Sequence, residues 1–367
     1  MWLKMNDDDA RHGQQSLLLP EFLARLADPA VRTVMLCGCG GGFDFVHSLI
    51  LYPELARLGK RVVIGSYSFG DPNDISGDAS VVFDQEGVVA KRVTAASVPN
   101  PYYGPEVHVC SYLDRQFPQD APHSVYAYYA RSFSVPLLKV LYRQFAQRHA
   151  IDAIVLFDGG SDSLMIGDEE GLGDPIEDCV SVTTVASLTE IKTRILISIG
   201  LGCDRHNHVS DAASLRAIAE LTAQGGFLGA VVLQPGSAGY RFYKNGLDHI
   251  YERQGFRSVV GDVITASAEG HFGSEYIPTR LKSRVDPGEM FLWPMMAVLW
   301  AFDVDFVARR SLMSTWICDQ TTVLGCYDAV RAGRVALQDR LRRVEDCPRH
   351  EELRGDFPNL WLPWEWP

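Results

Sequence analysis

Long apolar runs are missing from this sequence. The longest, Phe291–Phe302, is cut by Pro294 and falls short of the roughly 20 residues a bilayer needs, so no membrane association is expected. The opening residues MWLKMNDDDARHG lack the apolar core of a secretory signal. Their acidic run does not suit a transit peptide, so a cytoplasmic location is expected. Clusters of basic residues are also lacking: 34 Lys and Arg face 46 Asp and Glu, a formal charge of −12. A surface of that sign repels phosphate backbones, which argues against nucleic acid as a partner. Cysteine is sparse, with eight spread over 367 residues. Cys37-x-Cys39 has no second pair at zinc-site spacing, so the cysteines read as small buried hydrophobes. No internal repeat is visible.

What is present suits a large buried core: 47% hydrophobic and 22% charged residues. The chain alternates apolar runs with amphipathic stretches. Strands are expected at 31–37, 60–66, 152–157, 194–199 and 227–233, with a hairpin over 79–83 and 88–93 turning at Glu86-Gly87. Helices are expected at 16–28, 43–58, 135–149, 175–190 (Asp174 as N-cap, Glu177 reaching back), 211–224 (Ser210 as N-cap) and 239–254. Residues 95–123 hold five prolines and read as an irregular excursion that could serve as a lid. Helices at 258–268, 289–310 and 320–345 follow. The expectation is a three-layer α/β/α fold with a mostly parallel Rossmann-like sheet over residues 1–270. Residues 271–367 would form a helical annex packed on it, effectively one domain. The Pro/Trp-rich tail suits a groove on its own chain or on a second copy, as in a homo-oligomer.

Three expected strands end in loops of related chemistry, and in a parallel sheet those ends share one edge. The first, Cys37–Asp44, has four glycines in five residues (Gly38, Gly40, Gly41, Gly42) leading into a helix carrying Asp44 and His47. Backbone N–H groups there would hold an anion. The loop is neither a dinucleotide fingerprint, since Phe43 replaces the third glycine, nor a P-loop. The second, Phe157–Pro175, gathers Asp158, Gly159, Gly160, Ser161, Asp162, Asp168 and Glu169. Its carboxylates suit a hard cation such as Mg²⁺ or Mn²⁺, with Asp158 and Asp162 the preferred ligands and Asp168 and Glu169 further candidates. The third, Ile199–His208, carries Asp204, His206 and His208 at alternate positions, which would share one side if extended. Arg205 there, and Arg280 in a later polar loop, would meet an anionic group. Cys39 and Cys203 stand at strand ends without an evident base.

Taken together, GCGGGFD, FDGGSDSLMIGDEEGLGDPIED, GLGCD and EGHFGSEYIPTR followed by WPMMAVLWAFDVD resemble the prokaryotic family called domain of unknown function 1152. That resemblance implies an α/β protein and no particular activity. DGGSDSLMIG is also similar to the DGGNE-type loop of D-glutamate cyclases, departing at the Asn-Glu pair.

The leading expectation is an enzyme for hydrolysis or group transfer on a small anionic metabolite, phosphorylated, nucleotide-like or a carboxylate. A divalent cation at Asp158 and Asp162, with Asp204 or His206, would assist, and His206 or His47 would act as acid or base. Two alternatives stand beside it. One is a metal-independent lyase or cyclase on an amino-acid-like acid; the other is a small-ligand-binding or sensor protein without turnover.

Overall fold

The computed structural model describes residues 19–274 and 290–342, without the side chains of His206 and Asp339. The strands, in chain order, are β1 (Thr33–Gly38), β2 (Arg61–Ser68), β3 (Ser76–Gly77), β4 (Ser80–Gln85), β5 (Val88–Thr94) and β6 (Ser97–Val98). There follow β7 (Ser124–Tyr129), β8 (Ala153–Asp158), β9 (Thr193–Ser198), β10 (Phe227–Val232) and β11 (Val298–Asp303). Nine of them make one sheet in the order β10-β11-β9-β8-β1-β2-β7-β5-β4, while β3 and β6 pair separately. The central five run parallel; β5 is antiparallel to β7, and β11 to both of its neighbours.

β1 and β8 are buried at every position, as strands covered on both faces must be. One face packs on helices Val135–His149, Ile176–Ala186, Asp211–Gln224 and Val304–Arg310 through Met35, Tyr128, Leu156 and Leu196. The other packs on helices Glu21–Ala27, Pro105–Gln116 and Ala238–Tyr251 through Leu36, Ile64, Val155 and Ile197. The three layers are those expected from the alternation.

Several local expectations are corrected. The stretch 43–58 is not one helix: Asp44–His47 passes through a 3-10 turn, Ser48–Ile50, into Tyr52–Arg57. Pro53 sits in the first turn of that second segment, where its missing N–H costs nothing; inside a continuous helix it would break a bond. The supposed lid at 95–123 contains the helix Pro105–Gln116; Pro105 opens that helix and the other four prolines flank it. Eight of its twelve residues are buried, so a two-sided polarity signal was missing. β7, absent from the sequence expectation, is also buried on both faces. Asp174 does not cap the helix after it: Pro175 holds that place, and no side chain bonds there. Ser210 stands at its expected cap position, again without a side-chain bond.

The largest correction concerns 289–310, where a helix was expected. A 3-10 turn at Pro294–Ala297 leads into β11, which inserts between β10 and β9, and only then into the helix Val304–Arg310. A short run apolar on all sides does not distinguish a buried strand from a buried helix by its period. The later helix spans Val323–Leu337, shorter than the expected 320–345, and Leu312–Ile317 adds another. The tail 343–367 lies outside the described residues.

Candidate active site

From β1 the chain moves outward to β2 and eventually to β7, then returns to lay β8 on the other side of β1. The strand order therefore reverses between β1 and β8. At such a reversal the loops leaving neighbouring strands diverge and open a crevice at their carboxyl ends. Here the loops after β1, β8 and β9 bound a cavity of about 280 Å³. Seven carboxylates line it: Asp44, Asp158, Asp162, Asp174, Glu177, Asp178 and Asp204. None of the described residues lining it is Lys or Arg.

Backbone amides hold three of these carboxylates in place. Asp44 accepts from the N–H of Gly40 at 2.8 Å and of Gly159 at 3.1 Å, tying the first loop to the second. Asp204 accepts from Ser161 N–H at 2.7 Å, and Asp162 from Asp174 N–H at 3.1 Å. Asp158, at the tip of an apolar strand, accepts from the Ser163 hydroxyl. Asp178, in the first turn of Ile176–Ala186, has a buried Oδ1 without a partner. Single carboxylate oxygens of Asp44, Asp158 and Asp178 lie within 4.8 Å of one another.

Burial and mutual repulsion push these groups the same way. Asp44, Asp158, Asp162 and Asp178 are all held well above the usual carboxylate range, first by loss of water and then by each other's charge. Glu177 is pushed up to about 7 by burial and by Asp174. His47 goes the opposite way, down to about 3 by burial alone, so it is neutral. Its Nδ1 lies 2.7 Å from the Tyr243 hydroxyl, and its buried Nε2 has no partner.

The sequence-derived candidates divide clearly. Asp44, His47, Asp158, Gly159, Asp162, Asp204 and Gly40–Gly42 line the one cavity. Two of the N–H groups expected to cradle an anion are engaged within the protein. Gly40 N–H is engaged by Asp44, and Gly42 N–H by the Tyr67 carbonyl at 3.1 Å. The helix it enters has only four residues. Gly38, Gly160 and Ser161 are not among the cavity-lining residues. Gly160 lies against Asp204, where a Cβ would come within 2.3 Å of Oδ2, and Ser161 Oγ accepts from Ser214 at 2.9 Å.

Asp168 and Glu169 do not line this cavity. Asp168 pairs with Arg342 at 2.7 Å, and Glu169 closes its own turn by accepting from the N–H groups of Ile166 and Gly167. Arg205 is tied to Asp211 at 2.6 Å and lies 4.9 Å over the Trp293 ring, so it is not free for an anion. The segment 203–207 is a 3-10 turn rather than extended, which removes the basis for aligning Asp204, His206 and His208. The His206 side chain and Arg280 lie outside the described residues. Burial raises the thiols of Cys39 and Cys203 well above the ordinary value, a setting that disfavours the thiolate.

A larger cleft of about 820 Å³ opens at the opposite, amino end of the sheet. Its Lys and Arg side chains are engaged: Lys60 donates to the Ala27, Asp28 and Val31 carbonyls, Arg61 to His149, and Arg57 pairs with Glu54. Chemistry, not volume, marks the smaller cavity.

Residues 134–335, more than half of the chain, match the family described as protein of unknown function, DUF1152. The chain belongs to the DUF1152 family. No curated protein and no solved structure matches it. The DUF1152 span contains Asp158, Asp162, Asp178 and Asp204, while Asp44, His47 and the glycine loop precede it.

Sequence reasoning missed Asp178, Glu177 and Phe69 as cavity residues. A signal for the first two existed: IED opens a helix that leaves the acidic loop, so its first turn has to face the strand edge. Phe69, one residue past β2, carried no such mark.

Proposed function

We propose that this DUF1152 protein is an enzyme that holds a hard divalent cation, Mg²⁺ or Mn²⁺, at Asp44, Asp158 and Asp178. With it the protein would hydrolyse, or transfer a group from, a small anionic metabolite. One observation carries this reading: three carboxylates from three separate segments come within 4.8 Å in a cavity whose described lining has no Lys or Arg. Buried like charges at that distance either stay protonated or share a cation, and oxygen donors are the set that Mg²⁺ and Mn²⁺ take. The wall by itself repels an anion. A bound cation reverses that sign and polarises the group it touches.

The chain's own groups then have separate tasks. Asp162 and Asp204, each fixed by a backbone amide, would orient water in the cavity. Glu177, poised near neutrality, is the group placed to exchange a proton at ordinary pH. Neutral His47, whose buried Nε2 has no partner, stands in the cavity wall without adding a positive charge that would repel the cation.

Titration calorimetry of the metal-free protein with MgCl₂ and MnCl₂ tests this. Binding in the wild type that is lost in Asp158→Asn, with the circular dichroism spectrum retained, is the expected result; no binding in the wild type overturns it. Turnover of a phosphorylated-metabolite panel, lost in Asp162→Asn, separates an enzyme from a passive binder. The same negative wall also attracts an ammonium group, which favours an amino-acid-like acid as the second reading. Amino-acid binding in EDTA would support that reading against the metal.

A further inference from the structure

Phe69 is out of place for an apolar side chain. It follows the last residue of β2, is 54% exposed, and lines the carboxylate cavity. Among the described residues no other ring packs on it. Its seat is the glycine loop: a Cβ on Gly41 would come within 1.9 Å of a ring atom, and one on Gly42 within 2.8 Å. Gly42 also has φ +74°, a conformation side chains rarely take. These two glycines are the reason the ring can lie where it does, and the N–H of Gly42 is engaged by the Tyr67 carbonyl. The same cavity is bounded by Phe256, Val259 and Val260. It therefore has an acidic floor at the strand ends and an apolar lip beside it.

We infer that the ligand of this site carries an aromatic ring attached to its anionic group, and that the ring lies against Phe69. This rests on the cation reading above, because the anionic group reaches the acidic floor only through a metal. A ring that covers Phe69 is removed from water on one face and gains an aromatic contact. Together these amount to roughly tenfold or more in affinity.

Calorimetry on the Mg²⁺-loaded full chain, with phenyl phosphate and inorganic phosphate as probes, tests the inference. Phenyl phosphate is expected to bind about tenfold or more tighter. Phe69→Ala should reduce it to the affinity of inorganic phosphate while leaving inorganic phosphate and Mg²⁺ binding unchanged. Phe69→Leu, which keeps apolar bulk without a ring, should retain only part of the advantage. Gly41→Ala, which displaces the ring from its seat, should also lose most of it. Equal affinities in the wild type, an advantage that survives Phe69→Ala, or no phenyl phosphate binding by a protein that does bind Mg²⁺ would each overturn the aromatic subsite. Failure to bind Mg²⁺ at all is a separate result, which removes the cation reading and this inference with it.

Discussion

At the scale of single residues, the site is a set of carboxylates placed against their own stability. Asp178 shows this most plainly, since its Oδ1 is buried and without a partner while burial and the charges of Asp162 and Asp158 raise its proton affinity. Asp178→Asn keeps the shape and removes one repelling charge. In EDTA it is expected to raise the melting midpoint by about 2 °C, roughly 1 kcal/mol. In a second scan with Mg²⁺ in place of EDTA, the variant should lack the upward shift that Mg²⁺ gives the wild type. A lower midpoint in EDTA would mean that the carboxylate is structural. Gly160→Ala tests the loop contact instead. Its Cβ would come within 2.3 Å of Asp204 Oδ2, which is itself fixed by Ser161 N–H. A loss of about 1–3 kcal/mol in urea unfolding is expected, because neither neighbour is free to retreat.

At the scale of elements, the informative strand is β11. Phe302 is fully buried, packs 5.7 Å from Phe227 between ring centroids, and pairs in register with Leu196 of β9. Phe302→Ala is therefore expected to cost about 3–5 kcal/mol in urea unfolding, as for any large core side chain. A cost below about 1 kcal/mol would be the mark of a peripheral annex instead. The helices that were legible share one property: Val135–His149 and Asp211–Gln224 each cover one face of the sheet and leave the other to water, so their apolar stripe is periodic. Pro105–Gln116, β7 and β11 are enclosed on more than one side, and enclosure erases the period on which sequence reading depends.

At the scale of the whole molecule, the acidic cavity links metal, pH and stability. Carboxyl groups held above their unfolded values keep protons that the unfolded chain has already released. The metal-free protein should therefore lose stability as pH rises from about 4 upward. Glu177 extends this window to about 7. A divalent cation relieves the repulsion, so the Mg²⁺-induced rise in melting midpoint should grow between pH 5 and pH 8. At a hundredfold excess over Kd the gain is about 2.7 kcal/mol. Scanning calorimetry at several pH values checks the slope; a metal shift that shrinks with pH would contradict it. Truncation after residue 270 tests the domain boundary. Among the described strands β10 pairs only with β11, so removing residues 271–367 bares β10 and one edge of β9. Aggregation on expression is expected, where a dispensable annex would leave a soluble, folded core. No helix of the described residues is long and apolar enough to cross a membrane.

The sequence alone determined what depends on local order: the alternation that makes a parallel α/β sheet, and the glycine and acidic loops at the ends of β1, β8 and β9. Their meeting at one edge follows from parallel pairing, which short apolar runs joined by helices impose. Which carboxylates face one another was decided only by the tertiary structure. Strand order puts the reversal between β1 and β8, and that reversal turns Asp44, Asp158 and Asp178 into one cluster while Asp168 and Glu169 turn away. Asp44 stands more than a hundred positions before Asp158 and Asp178, and no local pattern of polarity encodes their meeting.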